Sequence, residues 1–266
     1  MNPRMTPRMT PHTRPRSLVF SMGFNGYQRI YARNIETQRA YCARHGMDYE
    51  FVDRPFFTPL MMECCWLKVP LILAALDEGW PWVVYIDCDV EVRSHCPDLH
   101  SLERPGKHLY MATGYSGRLN SGVIIVKNSP EVRALFQRIL DGAQKPLPPE
   151  DDVGWGENGH IIHFAKDSPL LEIIPPQWNN NHDPALADYL RHYSAGPMRP
   201  LYAPRPIEKA WALVGKAYLK ASKWRRAPAP SKFFDNLAAL QAEATRNTVA
   251  FGSAVRGGAV MLAVKQ

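Results

Sequence analysis

Five consecutive apolar residues, Trp82 to Ile86, run directly into Asp87-Cys88-Asp89. Alternation would mark a half-exposed strand; Val83 to Ile86 is apolar at every position. Such a strand needs cover on both faces, which the middle of a parallel sheet flanked by helices provides. The surrounding chain supplies both parts. Ser17 to Met22 is a short apolar run that stops at Gly23. Tyr27 to His45 has helical spacing through Ile30, Ala32, Ile35, Ala40 and Tyr41, and ends at Gly46. Tyr49 to Val52 reads as a strand, Trp66 to Glu78 as a helix closed by Gly79, Tyr110 to Ala112 and Gly122 to Val126 as strands, and Pro130 to Leu140 as a helix. This alternation predicts an α/β fold of the doubly wound kind.

Beyond it the pattern loosens. Lys145 to Pro149 is a loop or linker, Glu157 to Phe164 a helix and Leu171 to Ile174 a strand. Ile207 to Arg226 reads as a basic amphipathic helix, with Ala210, Leu213, Val214, Ala217, Tyr218 and Trp224 among its lysines. It suits a helix packed on the body with a solvated basic face, or a contact with a membrane surface or partner.

The strand of Val83 to Ile86 delivers two carboxylates at its C-terminal end, the end where open α/β sheets bind ligands. Residues i and i+2 of an extended segment point the same way. Two anionic groups held that close are uncomfortable unless a cation lies between them. Carboxylates suit Mg²⁺ or Mn²⁺, ions that keep positions open for substrate phosphates. Two chemistries use such a pair: glycosyl transfer from a nucleotide sugar, and phosphatases in which the first Asp is phosphorylated. The second class places its motif on the first strand and continues with Thr or Val, whereas here the fifth position is Glu91 and two strand-helix units come first. With no G-x-G-x-x-G after the first strand, a dinucleotide fingerprint is absent.

Charge narrows the partners. The formal net charge of the 266 residues is +7, yet residues 17–204 carry −5, residues 1–16 carry +4 and residues 205–232 carry +7. A mildly acidic body argues against nucleic acid, while the basic ends suit an acidic surface. Residues 1–16, rich in Pro, Arg and Thr, read as a disordered basic arm. Five cysteines, two of them adjacent, suggest no disulfide framework and a reducing compartment. A zinc site from Cys88, His95, Cys96 and His100 is conceivable, without a paired C-x-x-C to support it. The apolar stretches fall short of the roughly 20 residues of a membrane span, and no signal-type apolar region follows the early arginines, so the expected setting is cytoplasmic.

Several segments taken in order resemble a known family. They are Tyr41 to Tyr49, Trp66-Leu67-Lys68-Val69-Pro70, Val84-Tyr85-Ile86-Asp87-Cys88-Asp89, Asn120 to Ser129, Gln177-Trp178-Asn179-Asn180 and His192 to Gly196. Together they are similar to the retaining GT-A glycosyltransferases of family 34, the galactosyl-, mannosyl- and xylosyltransferases, with kinship to the glycogenin-like family 8. The resemblance covers residues 17–204 and implies a Rossmann-like, mostly parallel sheet flanked by helices; beyond it, residues 205–266 read as a basic, mainly helical extension. It implies a nucleoside diphosphate sugar donor (a UDP- or GDP-sugar), a glycan or glycolipid acceptor and retention of configuration. It implies Mn²⁺ or Mg²⁺ held by Asp87, Asp89 and His192. The donor would meet Ser21, Tyr27, Lys68, Asn120, Ser121, Gly122, Gly196 and Arg199. Tyr27 is placed to stack on the base, Lys68 and Arg199 to neutralise diphosphate charge, and Gly122 to admit the sugar close to backbone. Gly154 to His160 stands where the family carries an acidic segment, which makes Glu157 and Asn158 the catalytic candidates. Gly159 replaces that segment's last acid, and Glu150-Asp151-Asp152 is an alternative source of charge or a solvated loop. Trp155 suits either a sugar platform or a core position. The rival expectations are a non-catalytic protein that binds sugar nucleotide or a partner, and a phosphatase of the aspartyl-phosphate type.

Overall fold

The computed structural model describes residues 15–154, 156–224 and 232–252. Most of the arm expected at 1–16, Trp155, the side chain of Trp224 and the end of the helix expected to reach Arg226 lie outside these residues.

Strand β1 (Ser17–Met22) lies between β2 (Asp48–Val52) and β3 (Trp82–Ile86), parallel to both. On the other edge of β3 comes β6 (Val123–Lys127), then β5 (Leu109–Met111) and β7 (Leu171–Ile173), giving the order β2-β1-β3-β6-β5-β7. Only β6 runs against its neighbours. Residues 112–122 connect β5 to β6 without a helix, and so short a connection turns the chain back instead of crossing over.

The two faces of β3 are sealed by different helices. Val83 and Tyr85 pack with Leu18, Phe20 and Ile124 into a core shared by α4 (Lys68–Asp77), α5 (Pro130–Asp141) and α6 (Asn158–Ala165). Trp82, Val84 and Ile86 face the opposite core, against Tyr41 and Cys42 of α2 (Ala32–His45). Every residue of β3 is at most 2% exposed, as an unbroken apolar run requires.

One helix read as continuous is broken: Tyr31, at φ −107° and ψ 23°, separates α1 (Tyr27–Ile30) from α2, and its hydroxyl accepts from Arg199. The helix expected from Trp66 begins at Lys68 as α4, and Leu67 separates it from a further short helix, α3 (Met61–Trp66), outside the expected range. A small second sheet pairs β4 (Val90–Val92) with β8 (Leu190–His192).

The late basic helix, α7 (Pro206–Trp224), packs on the loops after β1 and β2. Trp211 meets Phe56 of the loop after β2 with ring centroids 5.5 Å apart, and Tyr218 meets Phe57 at 4.8 Å. Gly215 lies so close to the loop after β1 that a Cβ there would sit 2.0 Å from the Asn25 carbonyl oxygen. Arg33 forks onto Glu208 at 2.9 and 3.0 Å and pins the start of the helix. Helix α8 (Phe233–Thr245) adds Phe233, Leu237 and Leu240 to the core of α4 and α5. Among the described residues no helix is long and apolar enough to cross a membrane.

Candidate active site

The chain leaves β3 through a turn that is braced from several sides. The Asp87 N–H donates to the Gly122 carbonyl at 2.8 Å, and the Val90 N–H donates back to the Asp87 carbonyl at 3.0 Å. Gln38, wholly buried on α2, donates its amide to the carbonyls of Asp87 (3.0 Å) and Val90 (2.9 Å) and accepts from the Tyr49 hydroxyl at 2.8 Å. Pairing of Val90 with His192 across β4 and β8 brings the imidazole beside this turn, and the Tyr193 N–H donates to the Asp89 carbonyl at 3.1 Å.

Three ligand atoms converge there. His192 Nε2 lies 3.2 Å from Asp89 Oδ1 and 3.6 Å from Asp87 Oδ2. One ligand atom from each of the three residues lies within 4.8 Å of the others. The ring orientation follows from a chain of amides. Asn179 Nδ2 donates to the Asn120 carbonyl (3.1 Å) and to Asn120 Oδ1 (2.9 Å), so Asn179 Oδ1 faces His192 Nδ1 at 2.9 Å and accepts its hydrogen. In the neutral ring Nε2 then presents its lone pair toward the carboxylates, the arrangement by which ligating histidines are oriented. Adjacent ligands of an octahedral ion with bonds of about 2.1 Å stand about 3 Å apart. The donor set of two carboxylates and one imidazole therefore fits a divalent ion such as Mn²⁺ or Mg²⁺.

The outer oxygens of both carboxylates are already taken. Arg199 Nη2 donates to Asp89 Oδ2 at 3.0 Å, while its Nη1 donates to the Tyr31 hydroxyl. Asp87 Oδ1 accepts from the Tyr85 hydroxyl and lies 3.5 Å from Lys68 Nζ. Lys68 is 4% exposed, and its Nζ also lies 2.8 Å from Glu157 Oε1. Burial lowers the Lys68 pKa, but the charges of Asp87 and Glu157 outweigh it and hold the ammonium above its ordinary value. Burial pushes the Asp87 carboxyl up; Lys68 opposes this, and the charge of Asp89 adds to it. For Asp89 burial also acts upward, yet His192 and Arg199 carry the carboxyl below its usual range.

The remaining sequence candidates fall around this centre. Ser121 Oγ donates to Glu157 Oε1 at 2.6 Å, and its N–H donates to Asn158 Oδ1 at 2.8 Å. Asn158 Nδ2 donates to the Leu119 carbonyl at 3.2 Å, so Glu157 and Asn158 both hold the 119–121 segment. Tyr27 is exposed at the rim, its ring 5.6 Å from that of Tyr31. Gly196 is exposed in the loop after β8, and the Arg199 N–H donates to its carbonyl at 3.2 Å.

Three expectations are corrected. Ser21 is wholly buried inside β1, because the strand runs on to Met22 and the loop begins only at Gly23. The space beside Gly122 belongs to His192: a Cβ there would sit 2.1 Å from its Cε1. Cys88, His95, Cys96 and His100 form no metal-holding group among the described residues, where Asp87, Asp89 and His192 make the one such cluster. His100 instead contacts Asp98 at 2.7 Å and Ser17 at 2.9 Å. Within the acidic run, Asp151 is buried and paired with Lys166 at 2.7 Å and His163 at 2.8 Å.

Sequence reasoning passed over Gln38 and Tyr31 and gave Asn179 and Tyr85 no role of their own. For Gln38 a signal exists: it is a polar residue on the side of α2 that carries Ile35, Tyr41 and Cys42 into the interior.

No protein-family model matches the chain, and no curated protein matches it. Its structure is similar to that of a glycosyltransferase involved in glycosylation of the major capsid of PBCV-1, at 14% identity and a TM-score of 0.54, over 74% of this chain and the whole of that one. It is less similar to the glycosyltransferase GlyE of Streptococcus pneumoniae TIGR4 (16% identity, 81% of this chain and 65% of that one, TM-score 0.48). The galactosyltransferase LgtC, solved with donor and acceptor sugar analogues, is comparable (12% identity, 82% and 99%, TM-score 0.45). The mostly parallel sheet with β6 reversed, sealed by helices on both faces, is the GT-A glycosyltransferase fold.

Proposed function

We propose that the protein is a metal-dependent glycosyltransferase, moving a hexosyl or pentosyl unit from a UDP- or GDP-sugar to a hydroxyl of a glycan or glycolipid, with retention of configuration. One observation carries the reading: Asp87 Oδ2, Asp89 Oδ1 and the oriented Nε2 of His192 converge at the C-terminal end of a buried parallel strand. These three residues would hold the ion, and the mixed oxygen and nitrogen set suits Mn²⁺ alongside Mg²⁺. When bound, the ion supplies Lewis acidity toward the departing diphosphate.

The chain's own groups do the rest. Arg199 holds Asp89 from outside and places a guanidinium beside the leaving group's charge. Lys68 fixes Asp87 and Glu157 together and keeps a positive charge under the site. Tyr27 offers an exposed ring to the base. Asn120, bonded to Asn179, and Ser121, bonded to Glu157, are the residues proposed to meet the donor sugar. Glu157 and Asn158, bonded to Ser121, are the acid and the amide proposed to act at the anomeric face. The five free thiols suit a reducing setting such as the cytoplasm.

The test is product detection by mass spectrometry over a panel of UDP- and GDP-sugars with Mn²⁺, with and without EDTA, beside Asp89→Ala. Transfer that needs the metal and is lost in Asp89→Ala is expected. Full turnover in chelator, or in the variant, refutes the metal assignment. Donor binding without consumption makes the protein a sugar-nucleotide binder instead.

A further inference from the structure

The inner face of α7 is fixed by the contacts of Glu208, Trp211, Gly215 and Tyr218 with the body. That rotation decides what the outer face presents. At about 100° per residue, Lys209, Lys216 and Lys220 fall within an arc of about 40°, and all three are exposed. The adjoining arc of about 120° holds Ile207, Leu213 and Val214, exposed by 63%, 68% and 46%, with Ala210, Ala217 and Ala221 between them. Single exposed apolar residues are ordinary on a soluble surface, but a continuous stripe along one helix is not. An apolar stripe bordered by lysines is the face that an interfacial helix lays into the headgroup region of a bilayer.

We propose that this outer face of α7 docks the protein on an anionic lipid bilayer. Charge selects that occupant. Helix α7 carries four lysines against Glu208, a charge of +3, within the segment 205–232 that carries +7, while residues 17–204 carry −5, so a negative surface attracts the helix and repels the body. The encounter is therefore oriented, with the stripe of Ile207, Leu213 and Val214 toward the lipid. Because α7 is packed against the loop after β1, which also leads to Tyr27, docking would bring the rim of the candidate site close to the membrane.

The experiment is co-sedimentation of the full chain with vesicles of phosphatidylcholine alone or mixed in equal amounts with phosphatidylglycerol. It needs no donor and no turnover, so its outcome is separate from that of the proposed activity. Binding to the mixed vesicles, weakened by salt and absent on phosphatidylcholine, is expected. Lys209→Gln, Lys216→Gln and Lys220→Gln together should lower partitioning on the order of 100-fold, at about 1 kcal/mol per charge. Ile207→Ser, Leu213→Ser and Val214→Ser together should release the protein as well, with the melting temperature unchanged because all three side chains are exposed. Failure to bind the anionic vesicles, or equal binding by either variant, overturns the proposal. So does a dimer in solution that the serine variant dissolves, since the stripe would then be a contact between two copies.

Discussion

Gly122→Ala tests the ligand role of His192 without touching a ligand. The new Cβ would stand 2.1 Å from His192 Cε1 and 2.7 Å from Nδ1. Carbon atoms rest at about 3.5 Å, so the imidazole must retreat by more than about 1 Å. That displacement breaks the 2.9 Å contact of Nδ1 with Asn179 and turns Nε2 away from both carboxylates. Disturbing the partner that orients a ligating histidine costs about 10- to 100-fold in metal affinity. Overpacking adds about 1–3 kcal/mol of lost stability. The assay is Mn²⁺ titration by calorimetry, paired with thermal melting, on Gly122→Ala, His192→Ala and the double variant. With the imidazole gone the methyl has room, so the second substitution should add little to the first, and the coupling should equal most of the single effect. Wild-type Mn²⁺ affinity in Gly122→Ala, or strict additivity in the double variant, would refute the reasoning.

Other substitutions probe the supports. Lys68→Met removes the cation between Asp87 and Glu157 and leaves two carboxylates uncompensated, so a loss of about 3–5 kcal/mol is expected. Adding Glu157→Gln should recover part of it, and an unchanged melting temperature in the single variant would contradict the pairing. Gln38→Leu strands the Val90 carbonyl and the Tyr49 hydroxyl and leaves the Asp87 carbonyl with the Val90 N–H alone, at about 1–3 kcal/mol by chemical denaturation. For Glu208 burial acts upward, but the fork from Arg33 and the Arg205 N–H hold its carboxyl below the usual range. A lowered folded value stabilises above the unfolded one, near pH 4.3 for Glu, and the gain disappears as the pH falls through the folded value. Glu208→Gln should therefore trail the native chain at neutral pH and draw level in acid, and a gap that widens in acid would give the wrong sign.

The sheet was legible because its central strands are buried on both faces. Continuous apolar runs such as Val83 to Ile86 and Val123 to Val126 leave no other reading. Direction is another matter, since periodicity says how a strand is covered and not which way it runs. The reversal of β6 follows from a connection without a helix, a weaker signal than the strand itself. The break at Tyr31 was invisible because apolar spacing continues across it, and the partner of its hydroxyl, Arg199, lies far along the chain. The pairing of β4 with β8 involves three residues on each side, too few for any pattern to register. The acidic motif advertised itself by position. Gln38 and Asn179 work through amides whose partners lie on distant segments, and a linear pattern carries no distances.

Two cations already touch the aspartate pair, yet neither can replace a divalent ion between them. Arg199 approaches Asp89 at Oδ2 and Lys68 approaches Asp87 at Oδ1, both from outside. The inner oxygens, Asp87 Oδ2 and Asp89 Oδ1, are left facing His192 Nε2 at 3.6 and 3.2 Å. A guanidinium or ammonium group is too large to enter a space of that width, whereas an ion with bonds of about 2.1 Å fits it. Asp89, next to His192 and Arg199, settles below the ordinary range, while burial and the charge of Asp89 drive Asp87 above it. The organic cations therefore serve as braces. By engaging the outer oxygens they fix the rotation of both carboxylates and hold the inner pair in place before any ion arrives. Preorganisation of that kind spares the site the cost of turning two like charges toward each other at the moment of binding.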